Sequence, residues 1–361
     1  MQKKLIALAI ASAISAPVFA DNANFTFYGT VDASYDVINT SNGTTTANGA
    51  TAVEGKSKRV VSSNVSKFGF KGSEDLGDGL AAIWQIEQQI NIDDAAKNTF
   101  ASRNTFAGLK GDFGTVLMGI HDTPYKLSTR KLDVFGDSIA DNRALLGGVK
   151  SLSAAAAFDG RPTDVLAYIS PSFGGVTAAI ATVNLTEAND KSTDVDKSAQ
   201  SLGLMVDLAP FYVGLGYEKH KLGGDLNESA TKVGVGFNQD MYSVSAVYEK
   251  TSDNQGTAQA DKYGHKAFTV GGKLKLGSGA VKLAYSKAGQ LGSTVDSEAK
   301  MVAVGYDHSM SKRTTLYALY SKISNGKGIN YEFTQNSGAA TTSSGFGTSP
   351  SAISMGVKHT F

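Results

Sequence analysis

The sequence contains no cysteine, only six prolines among 361 residues, and no apolar run long enough for a membrane-spanning helix. The missing cysteines exclude a disulfide scaffold and the common zinc and redox motifs. A helix that crosses a bilayer needs about 20 predominantly apolar residues, so a helical membrane protein is excluded as well. The 34 basic and 33 acidic side chains nearly balance, which leaves no basic field for nucleic acid.

The first twenty residues differ from the rest of the chain. Lys3 and Lys4 precede an apolar run at residues 5–16, and Val18-Phe19-Ala20 then offers small residues at a cleavage site. This pattern predicts a secretory signal peptide, residues 1–20, that is removed after Ala20; an N-terminal helix that is retained is the alternative. The mature chain, 21–361, then has 32 basic and 33 acidic side chains and a formal charge of −1.

Glycine is abundant, with 40 residues, and together with tyrosine, valine, threonine and serine it favours short strands and tight turns. Apolar and polar residues alternate with period two in many segments. In residues 353–361, isoleucine, methionine, valine and phenylalanine occupy one face, and serine, glycine, lysine and threonine the other. The same alternation recurs at residues 201–208, 211–217, 232–238 and 268–276.

Short turns and long polar loops separate these segments in alternation. Turns are predicted near residues 75–79, 111–114, 173–175, 209–210, 238–241, 277–279 and 309–312, and loops near 93–99, 122–162, 186–199, 222–230, 252–265, 289–299 and 325–350. The segments between them give sixteen strands of about ten residues, the length of a tilted membrane-spanning strand. The sequence therefore predicts an all-β fold, a 16-stranded antiparallel transmembrane β-barrel with short periplasmic turns and long external loops.

A soluble sandwich of two sheets also alternates, but its strands average about five to six residues. A face of glycine, serine and lysine packs poorly as a core and suits a water-filled lumen. Aromatic residues near segment ends, such as Phe25, Phe27 and Tyr248, fit interfacial girdles. Residues 116–120 and 316–320 are apolar on both faces, so their facing stays open; packing against a subunit outside and an inserted loop inside would explain them.

Two longer motifs carry a family resemblance. Residues 65–80 read VSKFGFKGSEDLGDGL and lead to Trp84-Gln85-Ile86-Glu87, and residues 103–116 read RNTFAGLKGDFGTV, followed by Gly119 and Thr123-Pro124-Tyr125. With Phe27-Tyr28-Gly29 near the start and the terminal Phe361, they resemble the trimeric general diffusion porins of the Gram-negative outer membrane, β-proteobacterial branch. The resemblance covers nearly the whole mature chain, by pattern rather than by motif beyond about residue 180.

The resemblance implies a homotrimer of barrels, multi-pass in the bacterial outer membrane, with an inward-folded third loop that narrows each pore. It also implies contact with outer-membrane lipid and lipopolysaccharide, and recognition of Phe361 by the barrel-assembly machinery. The family often has arginine after the serine of the second strand. This chain has Lys67 there, which keeps the positive charge but not the planar guanidinium.

The long loop at about residues 122–162 is the expected constriction loop; a solvated external loop is the alternative. Counted from Asp122 to Asp164, it carries six charges of each sign and several large apolar residues that can be buried. We expect the pore constriction to be lined by Lys67, Arg103, Arg130, Asp133, Asp137, Asp141 and Arg143. Because Lys67 alternates with Phe68 and Phe70, it faces water if the phenylalanines face lipid. The wall bases show no acid that would cancel them, so weak anion preference is expected.

Other motifs carry no site. Gly136-Asp137-Ser138-Ile139 mimics the nucleophile block of some esterases without their later Asp-x-x-His, and Gly55-Lys56-Ser57 lacks the first glycine of a phosphate-binding loop. The five histidines are not at ligand spacing, so no metal site is predicted. We expect no enzyme activity and no cofactor.

The function expected is a passive channel for small hydrophilic solutes and ions. Three alternatives remain: an adhesin or immune-facing barrel that acts through its loops, an outer-membrane enzyme, and a substrate-specific channel. Conductance separates the first from a channel, and a hydrolase assay tests the second. Specific sugar channels stack aromatic residues along the lumen, and the sequence contains no such series.

Overall fold

The computed structural model describes residues 23–361, apart from 48, 50, 95, 97, 148–157, 185–196, 256–259, 293 and 334–344. The signal peptide predicted at residues 1–20 lies outside these residues and stays a prediction. Among the described residues, no helix combines the length and the apolar character needed to cross a bilayer.

The described chain is almost entirely strand. The strands are β1 Ala23–Asn39, β2 Gly43–Thr44, β3 Ala52–Val53, β4 Ser57–Ser63, β5 Lys67–Gly77, β6 Leu80–Gln89, β7 Thr105–Gly111, β8 Gly114–Ile120, β9 Val165–Ile169, β10 Val176–Asn184, β11 Ser198–Leu208, β12 Phe211–Gly223, β13 Leu226–Asn238, β14 Tyr242–Asp253, β15 Lys266–Leu276, β16 Gly279–Ala288, β17 Ala299–Ser309, β18 Thr314–Asn325 and β19 Ser351–Thr360. Between β8 and β9 lie the helix α1 Pro124–Thr129 and the 3₁₀ turns Arg130–Leu132 and Asn142–Ala144.

The barrel closes through β1, which pairs with β19 on one side and with both β4 and β5 on the other. Because β4 and β5 follow one another along β1, they form a single position in the wall. The short hairpin β2–β3 lies outside the wall, in the first loop. Sixteen antiparallel positions result, and the predicted fold class is confirmed. Closure leaves no unpaired strand edge, which a bilayer requires of a β protein.

The alternation predicted from sequence sets the two faces of the wall. Along β12, Leu215 and Tyr217 are exposed on the outside, while Gly214, Gly216 and Glu218 are buried inside. An aromatic girdle surrounds the periplasmic end of the outer face. Its rings lie close together, with centroids 5.2 Å apart for Phe27 and Phe70 and 5.6 Å apart for Phe27 and Phe361.

The first periplasmic turn illustrates how the glycines shape the barrel. Gly77, Asp78 and Gly79 have φ values of 86°, 52° and 75°. These left-handed conformations strain most side chains but not glycine. The chain can therefore reverse between β5 and β6 within two residues, and the predicted turn at 75–79 lies at this place.

One predicted loop is wrong in length. Residues 222–230 read as a polar loop, but β12 continues to Gly223 and β13 begins at Leu226, so only two residues separate the strands. The error has a structural cause, because these strands extend beyond the membrane and are polar on both faces there. In this part, the outer-face residues Lys219 and Lys221 are exposed and the inner-face residue Glu228 is buried.

The structure also assigns the two segments whose facing the sequence left open. In β8, Met118 is exposed outside, while Leu117 is buried inside with Val165 and Ala167. In β18, Tyr320 is exposed outside, while Leu319 is buried inside in the same cluster as Phe135 of the long loop. Both faces are apolar because the inner wall is covered at these places.

Candidate channel constriction

The loop between β8 and β9 turns into the barrel and lies against its inner wall. Thr123 caps α1, its hydroxyl accepting a hydrogen bond from Lys126 N at 3.3 Å. Glycines on the wall let the helix approach the strands closely. A Cβ on Gly203 would lie 2.7 Å from the Pro124 carbonyl oxygen, and a Cβ on Gly214 would overlap with that of Ser128. Gly203 and Gly214 therefore contact the loop and do not face water.

Beyond α1, apolar side chains continue this contact across the neighbouring strands. Leu132 covers Gly234 and Gly236, and Phe135 covers Gly305. Tyr212 OH donates to the Ser128 carbonyl at 2.6 Å. The loop is thus held along strands β11 to β17.

Buried hydrogen bonds and an ion pair also attach the loop to the barrel wall. Tyr125 OH donates to Glu249 at 2.6 Å, and the Gly147 amide donates to the same carboxylate at 2.9 Å. Lys232 donates to Asp159 at 2.6 Å. Each partner is buried, so breaking one contact would leave an unsatisfied polar group. These contacts fix the loop's position and hence the aperture.

A compact charged cluster forms where the loop crosses the lumen. Arg130 binds Asp137 and Asp141, with N–O distances of 2.7 and 2.6 Å. Arg143 binds the fully buried Asp141 at 2.8 Å, and the Asp133 carboxylate lies 3.6 Å from Arg130. The structure therefore brings together the five loop residues predicted from sequence.

Burial and the neighbouring charges shift the pKa values of the acids in this cluster. Burial opposes ionisation of Asp141, but the guanidinium groups of Arg130 and Arg143 outweigh it and hold the pKa of Asp141 well below its usual range. Burial, reinforced by the negative charge of Asp141, raises the pKa of Asp133 to about 7. The two acids, Asp133 and Asp141, are therefore shifted in opposite directions.

Lys67 and Arg103, predicted on the opposite wall, lie side by side on the inner face. Both bind Glu87, Lys67 at 3.0 Å and Arg103 at 2.6 Å. Tyr28 OH donates to the same carboxylate at 3.0 Å. The expectation that no acid cancels these bases is therefore wrong, because β6 places Glu87 between them. Two bases and one acid leave the wall group at +1.

A third set of charged residues links the two ends of the loop near the barrel wall. Asp122 lies 2.7 Å from Lys126 and 3.1 Å from Arg161. Burial lowers the pKa of Arg161, and the charge of nearby Arg103 lowers it further, so the two guanidinium groups influence one another. Burial lowers the pKa of Lys126 to about 8 despite Asp122. These three residues and Glu87 contact the predicted charged residues or lie in the same charged network, and they are absent from the sequence-based site.

Five of the six bases are more exposed than the acids that bind them, Asp137 apart. Six bases (Lys67, Arg103, Lys126, Arg130, Arg143 and Arg161) have side chains 7–24% exposed. Of the five acids, four are at most 13% exposed, and only Asp137 reaches 37%. The formal sum is +1 with all groups ionised, and the water-facing surface is mostly basic.

A closed barrel that is apolar outside and narrowed inside by a charged loop defines a membrane pore of the diffusion-channel class. A family model described as Gram-negative porin matches residues 7–328. The chain belongs to this family and is an outer-membrane diffusion channel.

Known relatives extend along nearly the whole chain. The major outer membrane protein P.IB of Neisseria gonorrhoeae is 28% identical over 359 residues, covering 91% of this chain and 95% of its own length. Outer membrane porin protein 32 of Delftia acidovorans is 27% identical and covers all of both chains. The solved anion-selective porin from Comamonas acidovorans has a TM-score of 0.75 at 23% identity, covering 94% of this chain and all of its own, and supports the same fold.

Proposed function

We propose that the channel passes small hydrophilic solutes and ions by passive diffusion, with a weak preference for anions. The observation that carries the preference is the arrangement of the aperture. Five bases are 12–24% exposed, whereas the acids that neutralise them are at most 13% exposed, apart from Asp137; the sixth base, Lys126, is buried. An anion at the aperture therefore approaches positive groups more closely than a cation approaches negative ones.

The preference is weak for two reasons. The aperture's net charge is only +1, since each of the six bases has an acid partner within 4 Å. The lumen is also filled with salt solution, in which the Debye length is about 10 Å at 0.1 M. A solute larger than an ion passes between the exposed bases and the exposed acid Asp137. The electric field between these opposite charges favours hydrated, polar solutes.

The solved porin from Comamonas acidovorans is described as anion-selective, in line with the preference proposed for this chain. The experiment is a planar bilayer recording of the purified protein, with reversal potential measured across a KCl gradient. We expect stepwise conductance and a reversal potential displaced toward that of chloride, with a displacement that shrinks as salt rises. A displacement toward potassium would contradict the proposal, and a protein without conductance would favour the adhesin alternative.

Assembly is proposed to follow the family's pattern: a homotrimer in contact with outer-membrane lipid and lipopolysaccharide, inserted by the barrel-assembly machinery through Phe361. The position of Phe361 supports this role. Its amide donates to the Gly29 carbonyl at 3.0 Å, and the Gly29 amide donates back to the Phe361 carbonyl at 3.0 Å. Its ring stays exposed on the outer face at the seam that closes the barrel.

A further inference from the structure

A histidine lies between two carboxylates on the inner face of the wall, in the part of β12 and β13 that extends beyond the membrane. His220 has its Nδ1 atom 2.8 Å from Glu228 and its Nε2 atom 2.9 Å from Glu218. All three side chains are at most 2% exposed. A neutral imidazole has one N–H and donates to one carboxylate only, whereas the protonated ring donates to both. The geometry therefore fits a protonated, positively charged His220.

The elements around His220 carry more acids than bases. Among the described residues, their charged or titratable groups are Glu218 on β12, Glu228 and Lys232 on β13, Glu249 and Asp253 on β14, and Tyr125 and Asp159 on the constriction loop, while uncharged Ala199 lies opposite His220 on β11. Burial opposes the charged ring, but the hydrogen bonds to Glu218 and Glu228 and their negative charges outweigh burial and raise the pKa of His220 to about 9.

The same ring contacts the constriction loop. Phe158, in the loop's descending limb (residues 158–164), stacks on His220 with the ring centroids 4.5 Å apart and the planes at 20°. On its other side Phe158 approaches Tyr125 of α1, with the centroids 5.9 Å apart. A cation on the face of an aromatic ring is attracted to it, so protonation of His220 strengthens the stacking. Three successive rings thus connect both ends of the loop to β12.

The descending limb also carries one of the bases of the aperture. Arg161 donates to Asn104 on the facing wall at 2.7 Å and lies 3.1 Å from Asp122. Three positions separate Arg161 from Phe158, and a chain spans at most about 3.5 Å per residue. Movement of Phe158 away from β12 would therefore displace Arg161 and the contacts that it makes in the aperture.

We propose that protonated His220 is a positioning residue that holds the descending limb against β12 and β13, and that loss of its proton in alkaline medium releases the limb and makes the aperture fluctuate at Arg161. Without the proton, one ring nitrogen turns a lone pair toward a carboxylate, and no cation separates Glu218 from Glu228. Among the described residues, Glu218 has no hydrogen-bond partner except His220. A buried carboxylate that loses its only partner is costly, which favours opening of the contact.

The size of the pH effect follows from the difference between two protonation equilibria. The pKa of His220 is about 9 with the limb held, and an unperturbed histidine has a pKa of about 6.5. The proton's contribution to holding the limb is therefore complete below pH 6.5 and is lost as the pH rises to 9. Across this window the ratio of released to held limb should rise about tenfold per pH unit, or about 300-fold in all. The inference rests on the proposed passive channel but holds for either sign of ion preference.

The first experiment records single channels in planar bilayers at pH 7 and pH 9 and measures the ratio of time spent away from the main conductance level to time spent in it. His220→Gln removes the charge, and His220→Lys keeps a cation that stays protonated at pH 9. The matched control is His308→Gln, which removes a histidine on the outer face near the periplasmic end. Asp133 and Lys126 also titrate near this range, but they do so in every variant, so the variants are compared at each pH.

In the wild type and the control, the ratio should rise about 100-fold between pH 7 and pH 9, at about tenfold per pH unit. In His220→Gln it should already be high at pH 7 and change little, and in His220→Lys it should stay low at both pH values. A His220→Gln channel as steady as the wild type at pH 7, or a wild type equally steady at both pH values, would overturn the proposal. So would a rise in His220→Lys as large as that in the wild type.

The second experiment needs no functional variant and decides the matter if the substitutions prevent folding. Protein labelled with ¹³C-histidine and folded in detergent should give ring signals from five histidines. One of these signals should titrate near pH 9, and it should be missing from the spectrum of whichever His220 variant folds. Titration of all five below pH 7.5 would overturn the proposal. Neither experiment uses the reversal potential, so a cation-preferring channel would contradict the proposed function without affecting this inference.

Discussion

Replacing Lys67 and Arg103 by glutamine removes the two bases of the wall group and keeps long polar side chains in their places. At a pH at which Glu87 stays ionised without its two bases, the wall group changes from +1 to −1, and the sum over the aperture follows it from +1 to −1. The change reverses the sign of the charge that an ion meets. We therefore expect the anion preference to become a cation preference.

The size of the effect follows from Coulomb's law. At about 6 Å in water, one unit charge changes the energy of a passing ion by about 0.7 kcal/mol. Two charges give about 1.4 kcal/mol, and screening at 0.1 M salt leaves roughly half of it, about 0.8 kcal/mol. Each ion's partition into the aperture should change about fourfold, in opposite directions for anion and cation. At 1 M salt the Debye length is about 3 Å, and most of the effect should disappear.

A series of variants makes this test quantitative. Glu87→Gln should raise the aperture's sum to +2 and strengthen the anion preference. Replacing both bases by glutamate should lower the sum to −3 and give the strongest cation preference. The control is Lys275→Gln with Lys312→Gln, which changes the charge by the same amount far from the constriction. Reversal potential in a KCl gradient is measured for each protein at low and high salt.

The order of the reversal potentials decides the outcome. It should follow the sums +2, +1, −1 and −3, with the control equal to the wild type. If the variants at Lys67, Glu87 and Arg103 all keep the wild-type reversal potential at low salt while their conductance is normal, these residues do not line the narrowest part of the pore. The aperture would then lie elsewhere along the loop.

Four further predictions test other parts of the molecule. Because the pKa of Asp133 is raised to about 7 and that of Lys126 is lowered to about 8, protonation of both groups adds positive charge to the aperture's sum as pH falls from 9 to 6. The anion preference should rise over this range; Asp133→Asn should reduce the response of the reversal potential, and Asp133→Asn with Lys126→Arg should flatten it. Gly214→Ala should push α1 into the lumen and lower single-channel conductance, whereas Gly272→Ala, with 3.5 Å of space toward its nearest neighbour, should leave conductance unchanged. Deleting Phe361 should reduce the amount of heat-modifiable folded trimer on gels, and an unchanged amount would contradict its role in insertion. Mass spectrometry of the outer-membrane form should give Asp21 as the N-terminus, and a protein that retains residues 5–16 would contradict cleavage.

The fold was accessible from sequence because membrane strands obey a strict rule. Every second residue faces lipid, so an exposed polar residue there is costly, and the alternation survives along the whole chain. The inward facing of Lys67 follows from Phe68 and Phe70 in the same way. The constriction loop was recognisable by its length and by the apolar residues that it buries. Its cluster of Arg130, Asp137 and Asp141 is local in sequence, so its members could be named before the structure.

Glu87 shows where this reasoning fails. Lys67 and Arg103 are separated from it by 20 and 16 positions. The register that places Gly69 opposite Glu87 brings Lys67 to it, and the pairing of β6 with β7 brings Arg103, whose amide donates to the Glu87 carbonyl at 3.0 Å. Alternation fixes which face a residue occupies, not which residue lies opposite it, because a shift by two positions preserves the facing. One signal was available: Glu87 alternates with the lipid-facing Trp84 and so points inward, close to the same motif as Lys67.

The glycines on the inner face show a second limit of prediction from sequence. The period-two pattern does not distinguish a residue that faces water from one that contacts the inserted loop. Gly214 and Gly272 each alternate with larger residues, yet Gly214 faces inward beneath the Ser128 carbonyl and Gly272 faces outward beside Val244. A small residue is compatible with contact to water, to a close-packed loop or to an acyl chain. Composition alone therefore does not show which of the three a glycine contacts. What decides is whether another segment covers the position, and this depends on the path of a loop about 40 residues long. Because glycine fits both kinds of position, replacing it by alanine distinguishes them. Alanine should be tolerated where glycine faces solvent or lipid, and it should displace the constriction loop where glycine contacts that loop.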